Sequence, residues 1–246
     1  MKLLYSIFAA ITTLSDCSKK ETNSATPVIT NMTAKDTSVK AANNNTLTYL
    51  ALGDSYTIGE SVPADQSYPN LLAAELTSQK YPVSSPKIIA VTGWTTDELI
   101  NAIASSDITD KKFDFVTLLI GVNDQYQQLS HDNYRTKFQQ VLNTAIKFAS
   151  GNKNHVFVLS IPDWGVTPFS ADRDSIIGPQ IDQFNAINKH ISADAGVNYL
   201  DITPISRKAA HEPDLIASDG LHPSGKMYAM WVNSLGPLIA TKLNLH

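Results

Sequence analysis

The chain has 246 residues, enough for one medium domain with appended segments. Its net charge of −4 argues against nucleic acid as the main partner, because phosphate binding needs a basic face. The single cysteine excludes an intrachain disulfide and a multi-cysteine metal site.

The first segment reads as a signal peptide over residues 1–17. Lys2 gives a positive start, and Leu3 to Leu14 is mostly apolar, too short to span a bilayer. The lone Cys17 follows in "LSDCSKK". This resembles a bacterial lipoprotein signal, in which the cysteine is lipidated; Asp16 departs from the small residue expected before it. The expectation is an exported chain, at the cell envelope or surface, with membrane attachment through lipidated Cys17. Residues 18–45 are rich in Thr, Ser, Asn, Lys and Ala without aromatics or apolar period, and read as a flexible linker. The linker carries four Lys against one Asp and one Glu, so the body over residues 46–246 carries −6.

In that body short apolar runs alternate with helical stretches. The runs are Leu47–Leu52, Lys87–Val91, Phe113–Ile120, His155–Ile161 and Val197–Leu200. They mostly lack period-two alternation, as strands covered on both faces do. Amphipathic helices are predicted over Tyr68–Gln79, Thr95–Ser105, Asn133–Ser150, Ile176–Ala195 and Ser224–Leu243. This alternation implies βαβ units and a parallel sheet of five strands in an α/β fold, with no second domain. Such sheets bind ligands at the C-terminal ends of their strands. The first four runs end in "GDS", "VTGWTT", "IGVNDQ" and "IPDWGVTPF".

Those ends hold the parts of a nucleophilic site. Ser55, in "GDS", is a candidate nucleophile against the plainer reading of a turn serine. His222 sits in "SDGLHPSG" three residues after Asp219, close enough for the carboxylate to fix the imidazole tautomer. The Gly93 N–H and the Asn123 side chain are candidate oxyanion donors. Trp94, Trp164 and Phe169, on loops at the strand ends, are candidates to line the substrate pocket or simply to pack the loops.

Together, Gly53-Asp54-Ser55, Gly93, Gly121-x-Asn123-Asp124 and Asp219-x-x-His222 resemble, in order, the four blocks of the SGNH (GDSL) hydrolase family. The resemblance covers Leu47 to the C-terminus. It implies a three-layer α/β/α sandwich, flavodoxin-like, with a five-stranded parallel sheet. It implies Ser55 as nucleophile, His222 as base and Asp219 as the orienting acid. The oxyanion hole would be the Ser55 N–H, the Gly93 N–H and the Asn123 side chain.

Other patterns fail. "GLHPSGKM" is nearly a phosphate loop, but Met227 stands where a hydroxyl must bind magnesium. "GDSYT" lacks the second glycine of the α/β-hydrolase elbow. The six histidines are scattered without metal-ligand spacing. His131 and His190 are expected to be solvated on helices and His155 to sit at a strand edge. Asp54 and Asp124 are expected to hold loops by hydrogen bonds.

The expected function is a serine esterase acting on small-molecule carboxylic esters, lipid or short acyl, through an acyl-enzyme, with no cofactor. The alternatives are a carbohydrate deacetylase or thioesterase using the same site, and a non-catalytic cell-surface binding domain.

Overall fold

The computed structural model describes residues 46–245. The signal segment, Cys17 and the linker of the sequence reading lie outside the described residues.

Five strands form one all-parallel sheet: β1 (Tyr49–Gly53), β2 (Lys87–Ala90), β3 (Phe115–Leu119), β4 (Val156–Leu159) and β5 (Asn198–Leu200). Their order is β2-β1-β3-β4-β5, the doubly wound order of flavodoxin-like sheets. Every residue of β1, β3 and β4 is buried, which explains their unalternating sequences. Edge strands β2 and β5 are only partly covered.

The helices described are α1 (Ser55–Ile58), α2 (Tyr68–Ser78), α3 (Thr96–Ala104), α4 (Val122–Tyr126), α5 (His131–Phe148), α6 (Asp174–Ala195), α7 (Thr203–Ser206) and α8 (Gly225–Lys242). The chain steps from β1 outward to β2, then back across β1 to β3. Right-handed crossovers put helices on opposite faces before and after that reversal. Accordingly α2 packs on α8, whereas α3 packs on α5 and α5 on α6. Three layers result, as expected.

All five strand runs and five long helices fall where the sequence places them, with ends shifted by one or two residues. At three ends the apolar run overshoots the strand. Val91 leaves β2 and is exposed; Phe113 precedes β3; His155 lies in a 3-10 turn before β4. The short helices α1, α4 and α7 had no sequence signal.

Aromatic packing fixes the centre. Tyr49 stacks on Phe115 at 4.4 Å between ring centroids. The hydroxyls of Tyr49 and Tyr68 both reach Thr117 Oγ1, at 2.8 and 3.1 Å, so these buried polar atoms are satisfied within the core. Tyr68 also packs against Trp231 of α8. The reversal between β2 and β3 leaves a crevice at the C-terminal ends of the central strands, where the loops carry the chemistry.

Candidate active site

Ser55 begins α1 immediately after β1. Asp54 caps that helix: its backbone is extended, and its carboxylate accepts the Tyr56 N–H at 3.0 Å. The turn closes at Gly59, left-handed with φ 79°. Asp54 is fully buried, and its Oδ2 has no partner among the described residues. Burial pushes the carboxyl up to about 8; the Tyr56 N–H opposes this and the charge of Asp124 adds to it.

Gly93 follows β2 in a left-handed turn with φ 84°, a conformation that favours glycine. Neither its N–H nor that of Ser55 has a protein partner among the described residues. Asn123, in the first turn of α4, donates one amide N–H to the Trp94 carbonyl at 2.9 Å and keeps the other. Asp124, next in α4, accepts from the Thr96 N–H and hydroxyl at 2.9 and 3.0 Å, tying the start of α3 to α4. Burial raises its carboxyl, against the two bonds from Thr96. Both aspartates therefore hold loops, as read from the sequence.

Asp219 and His222 share the loop before α8. His222 Nδ1 lies 2.6 Å from Asp219 Oδ2. The other oxygen, Oδ1, accepts the Leu221 and His222 backbone N–H groups at 2.9 and 3.0 Å. The Ser61 hydroxyl donates to Oδ2 at 2.7 Å. Burial alone would raise this carboxyl, but the four hydrogen bonds, led by that from His222, outweigh it and hold it at about 2. An ionised Asp219 keeps the proton on Nδ1 and leaves Nε2 as the acceptor.

Ser55, Gly93, Asn123 and His222 line one cleft of about 190 Å³. Asp219 stands behind His222. The Ser55 and His222 side chains share the cleft without a hydrogen bond between them, a contact that commonly tightens only with substrate bound. Trp164 and Phe169 line the cleft as well. Trp164 is buried, its indole N–H donates to Gln125 Oε1 at 2.8 Å, and it packs edge-on to Tyr126.

Of the two readings for Trp94, the pocket one fails and the packing one holds. Its side chain packs against the core and does not line the cleft; only its carbonyl takes part. The left-handed Gly93 turns the chain so that the following side chain leaves the site. Tyr126, Val122 and Leu221 line the cleft and were not foreseen. The first two ride on α4, and Leu221 adjoins His222. His131 and His190 are exposed on helices, away from the cleft. Among the described residues no group of three or more His, Cys, Asp or Glu is placed to hold a metal ion.

The arrangement defines a class: an α/β hydrolytic site with a serine, a carboxylate-held histidine and backbone donors at a strand-order reversal. Residues 51–230 match the GDSL-like Lipase/Acylhydrolase family, and the chain belongs to that family of carboxylic-ester hydrolases. No curated protein sequence matches it. Solved structures share its fold. TesA is 18% identical with a TM-score of 0.60, covering 79% of this chain and 99% of its own. Axe2, an acetyl xylan esterase from Geobacillus stearothermophilus, is 16% identical with a TM-score of 0.60, covering 81% and 95%. The psychrotrophic esterase EstA from Pseudoalteromonas sp. is 16% identical with a TM-score of 0.60, covering 80% and 98%.

Proposed function

We propose that this chain is a serine esterase that cleaves carboxylic esters through an acyl-enzyme. The observation that carries the reading is the convergence of Ser55 and the Asp219-held His222 on one cleft. His222 Nε2 takes the Ser55 proton as Oγ attacks the ester carbonyl. The developing oxyanion accepts from the Ser55 N–H, the Gly93 N–H and the second amide N–H of Asn123. His222 then protonates the leaving alcohol. A water, activated by the same histidine, releases the acid and restores Ser55.

The cleft's modest volume and its Trp164, Val122 and Leu221 walls favour a short acyl group. Tyr126 and Phe169 are roughly half exposed at its mouth, an aromatic rim for the alcohol portion. That rim supports a second reading, removal of acetyl groups from a carbohydrate, since sugar rings pack on aromatic faces. Acetyl xylan esterases among the structural neighbours point the same way. Export and anchoring through Cys17 belong to the same reading; a Cys17→Ser protein should leave the membrane fraction.

Hydrolysis of p-nitrophenyl acetate and butyrate tests the proposal. The wild type should exceed Ser55→Ala by at least about a thousandfold. Equal rates would leave a non-catalytic binding domain as the better account. Across acyl chains from acetyl to palmitoyl, kcat/KM should be greatest at the short end. Acetate release from acetylated xylo-oligosaccharide, faster than from p-nitrophenyl acetate, would favour the carbohydrate reading.

A further inference from the structure

The turn after α1 reaches two other loops of the site at once. The Gly59 and Glu60 N–H groups both donate to the Ser55 carbonyl, at 3.2 and 3.1 Å, so the turn hangs on the serine's own backbone. From it the Glu60 carboxylate accepts the hydroxyl of Thr92, the neighbour of Gly93. Ser61 donates its hydroxyl to Asp219 Oδ2, the oxygen that also faces His222 Nδ1. Ser61 does so from a left-handed backbone, φ 64°, which costs a non-glycine residue energy. A glycine would relieve that cost, and a glycine cannot make the bond.

We infer that Ser61 is a positioning residue of the reaction, with Glu60 as its counterpart on the oxyanion side. The inference rests on the esterase reading above. Ser61 fixes the direction of the Asp219 carboxylate, which in turn fixes the His222 ring against Ser55. Without its hydroxyl, Oδ2 keeps only the His222 ring as donor while Oδ1 stays held by the Leu221 and His222 N–H groups, so the carboxylate pivots about Oδ1 and the imidazole follows it. Glu60 holds Thr92, and with it the Gly93 N–H, at a set distance from the same serine. A two-residue step thus ties the nucleophile to both its base and its oxyanion donors.

The variant that decides is Ser61→Gly, because it removes the hydroxyl while easing the backbone. The protein should melt close to the wild type, because the eased backbone offsets part of the stability lost with the hydrogen bond. Its kcat on p-nitrophenyl acetate should fall about tenfold with KM unchanged, the loss expected for one hydrogen bond to a charged group. The low-field proton NMR signal of the His222 Nδ1–H should shift, since its acceptor oxygen has lost a donor. Glu60→Ala should lower kcat similarly but leave that signal in place. A Ser61→Gly protein with kcat within about twofold of wild type and an unmoved signal overturns the positioning role. Ser55→Ala, assayed alongside, separates the two failures: if it stays active, the esterase reading falls and takes this inference with it.

Discussion

Asn123 donates its side-chain amide to the Trp94 carbonyl at 2.9 Å, joining the loop after β3 to the loop after β2. The bond spans β1, the strand that leads into Ser55. It fixes one amide hydrogen on the scaffold and so aims the other at the cleft. Preorganised donors of this kind cost no reorganisation when charge develops. Asn123→Ala should therefore lower kcat by about 10²- to 10³-fold while KM changes little. Steady-state kinetics on p-nitrophenyl butyrate reads this directly; a KM effect alone would assign Asn123 to substrate binding.

The glycine of "GDS" is required by packing, since its backbone is not left-handed. A Cβ on Gly53 would collide with the Thr57 side chain and the Leu119 carbonyl. The carbonyl belongs to β3 and cannot move away. Gly53→Ala should destabilise the protein by about 3 kcal/mol, as overpacking of a rigid site does. Urea unfolding should show a lower midpoint at unchanged slope. An unaltered midpoint would mean that the end of β1 is looser than its burial implies.

Asp54 makes stability depend on pH. Its carboxyl, ordinarily near 3.8, is raised to about 8 in the fold, so the folded state holds the proton more tightly than the unfolded chain. The full stability is present below pH about 4 and declines as pH rises towards about 8. The decline is at most about 1.4 kcal/mol per pH unit. Asp54→Asn keeps an acceptor for the Tyr56 N–H and removes the titration. Unfolding midpoints across that range should flatten and be higher than wild type at pH 8. The same slope in both proteins would place the titrating group elsewhere.

Asp219 acts with the opposite sign. Its carboxyl is held at about 2, so its contribution is present above the ordinary value of 3.8 and is lost as pH falls through about 2. Asp219→Asn should lose this acid-range slope and should also lower kcat at pH 7 by at least about a hundredfold, because the amide no longer dictates the imidazole tautomer. Circular dichroism between pH 5 and 2, alongside rates at pH 7, measures both. Wild-type rates from the variant would remove Asp219 from the mechanism.

What the sequence showed depended on signal length. The β1, β3 and β4 runs and helices such as α5 and α6 extend far enough for period and hydrophobicity to speak. The residues of α1 and α4, "SYTI" and "VNDQY", span barely one turn and read as loop. Missing α4 hid Tyr126 and Val122, which that turn points into the cleft. Ser55, Gly93 and Asn123 were candidates because each follows a strand at or beside a glycine; Asp219 and His222 lie in a loop before α8 with no such cue, and it was the resemblance to the four family blocks that singled them out. Trp94 could not be decided between pocket and packing because the direction of its side chain depends on the Gly93 turn. Ser61 carried no signal at all: its role comes from a left-handed backbone and from a partner 158 positions away.

Covalent trapping distinguishes Ser55 from every other candidate nucleophile of the cleft. The protein would be incubated with a p-nitrophenyl alkylphosphonate and its peptides analysed by mass spectrometry. One phosphonyl group should appear per chain, on the peptide carrying Ser55, with loss of esterase activity in step and no label on Ser55→Ala. Inactivation with the label on another residue, or full labelling of Ser55→Ala, would mean that Ser55 is not the nucleophile.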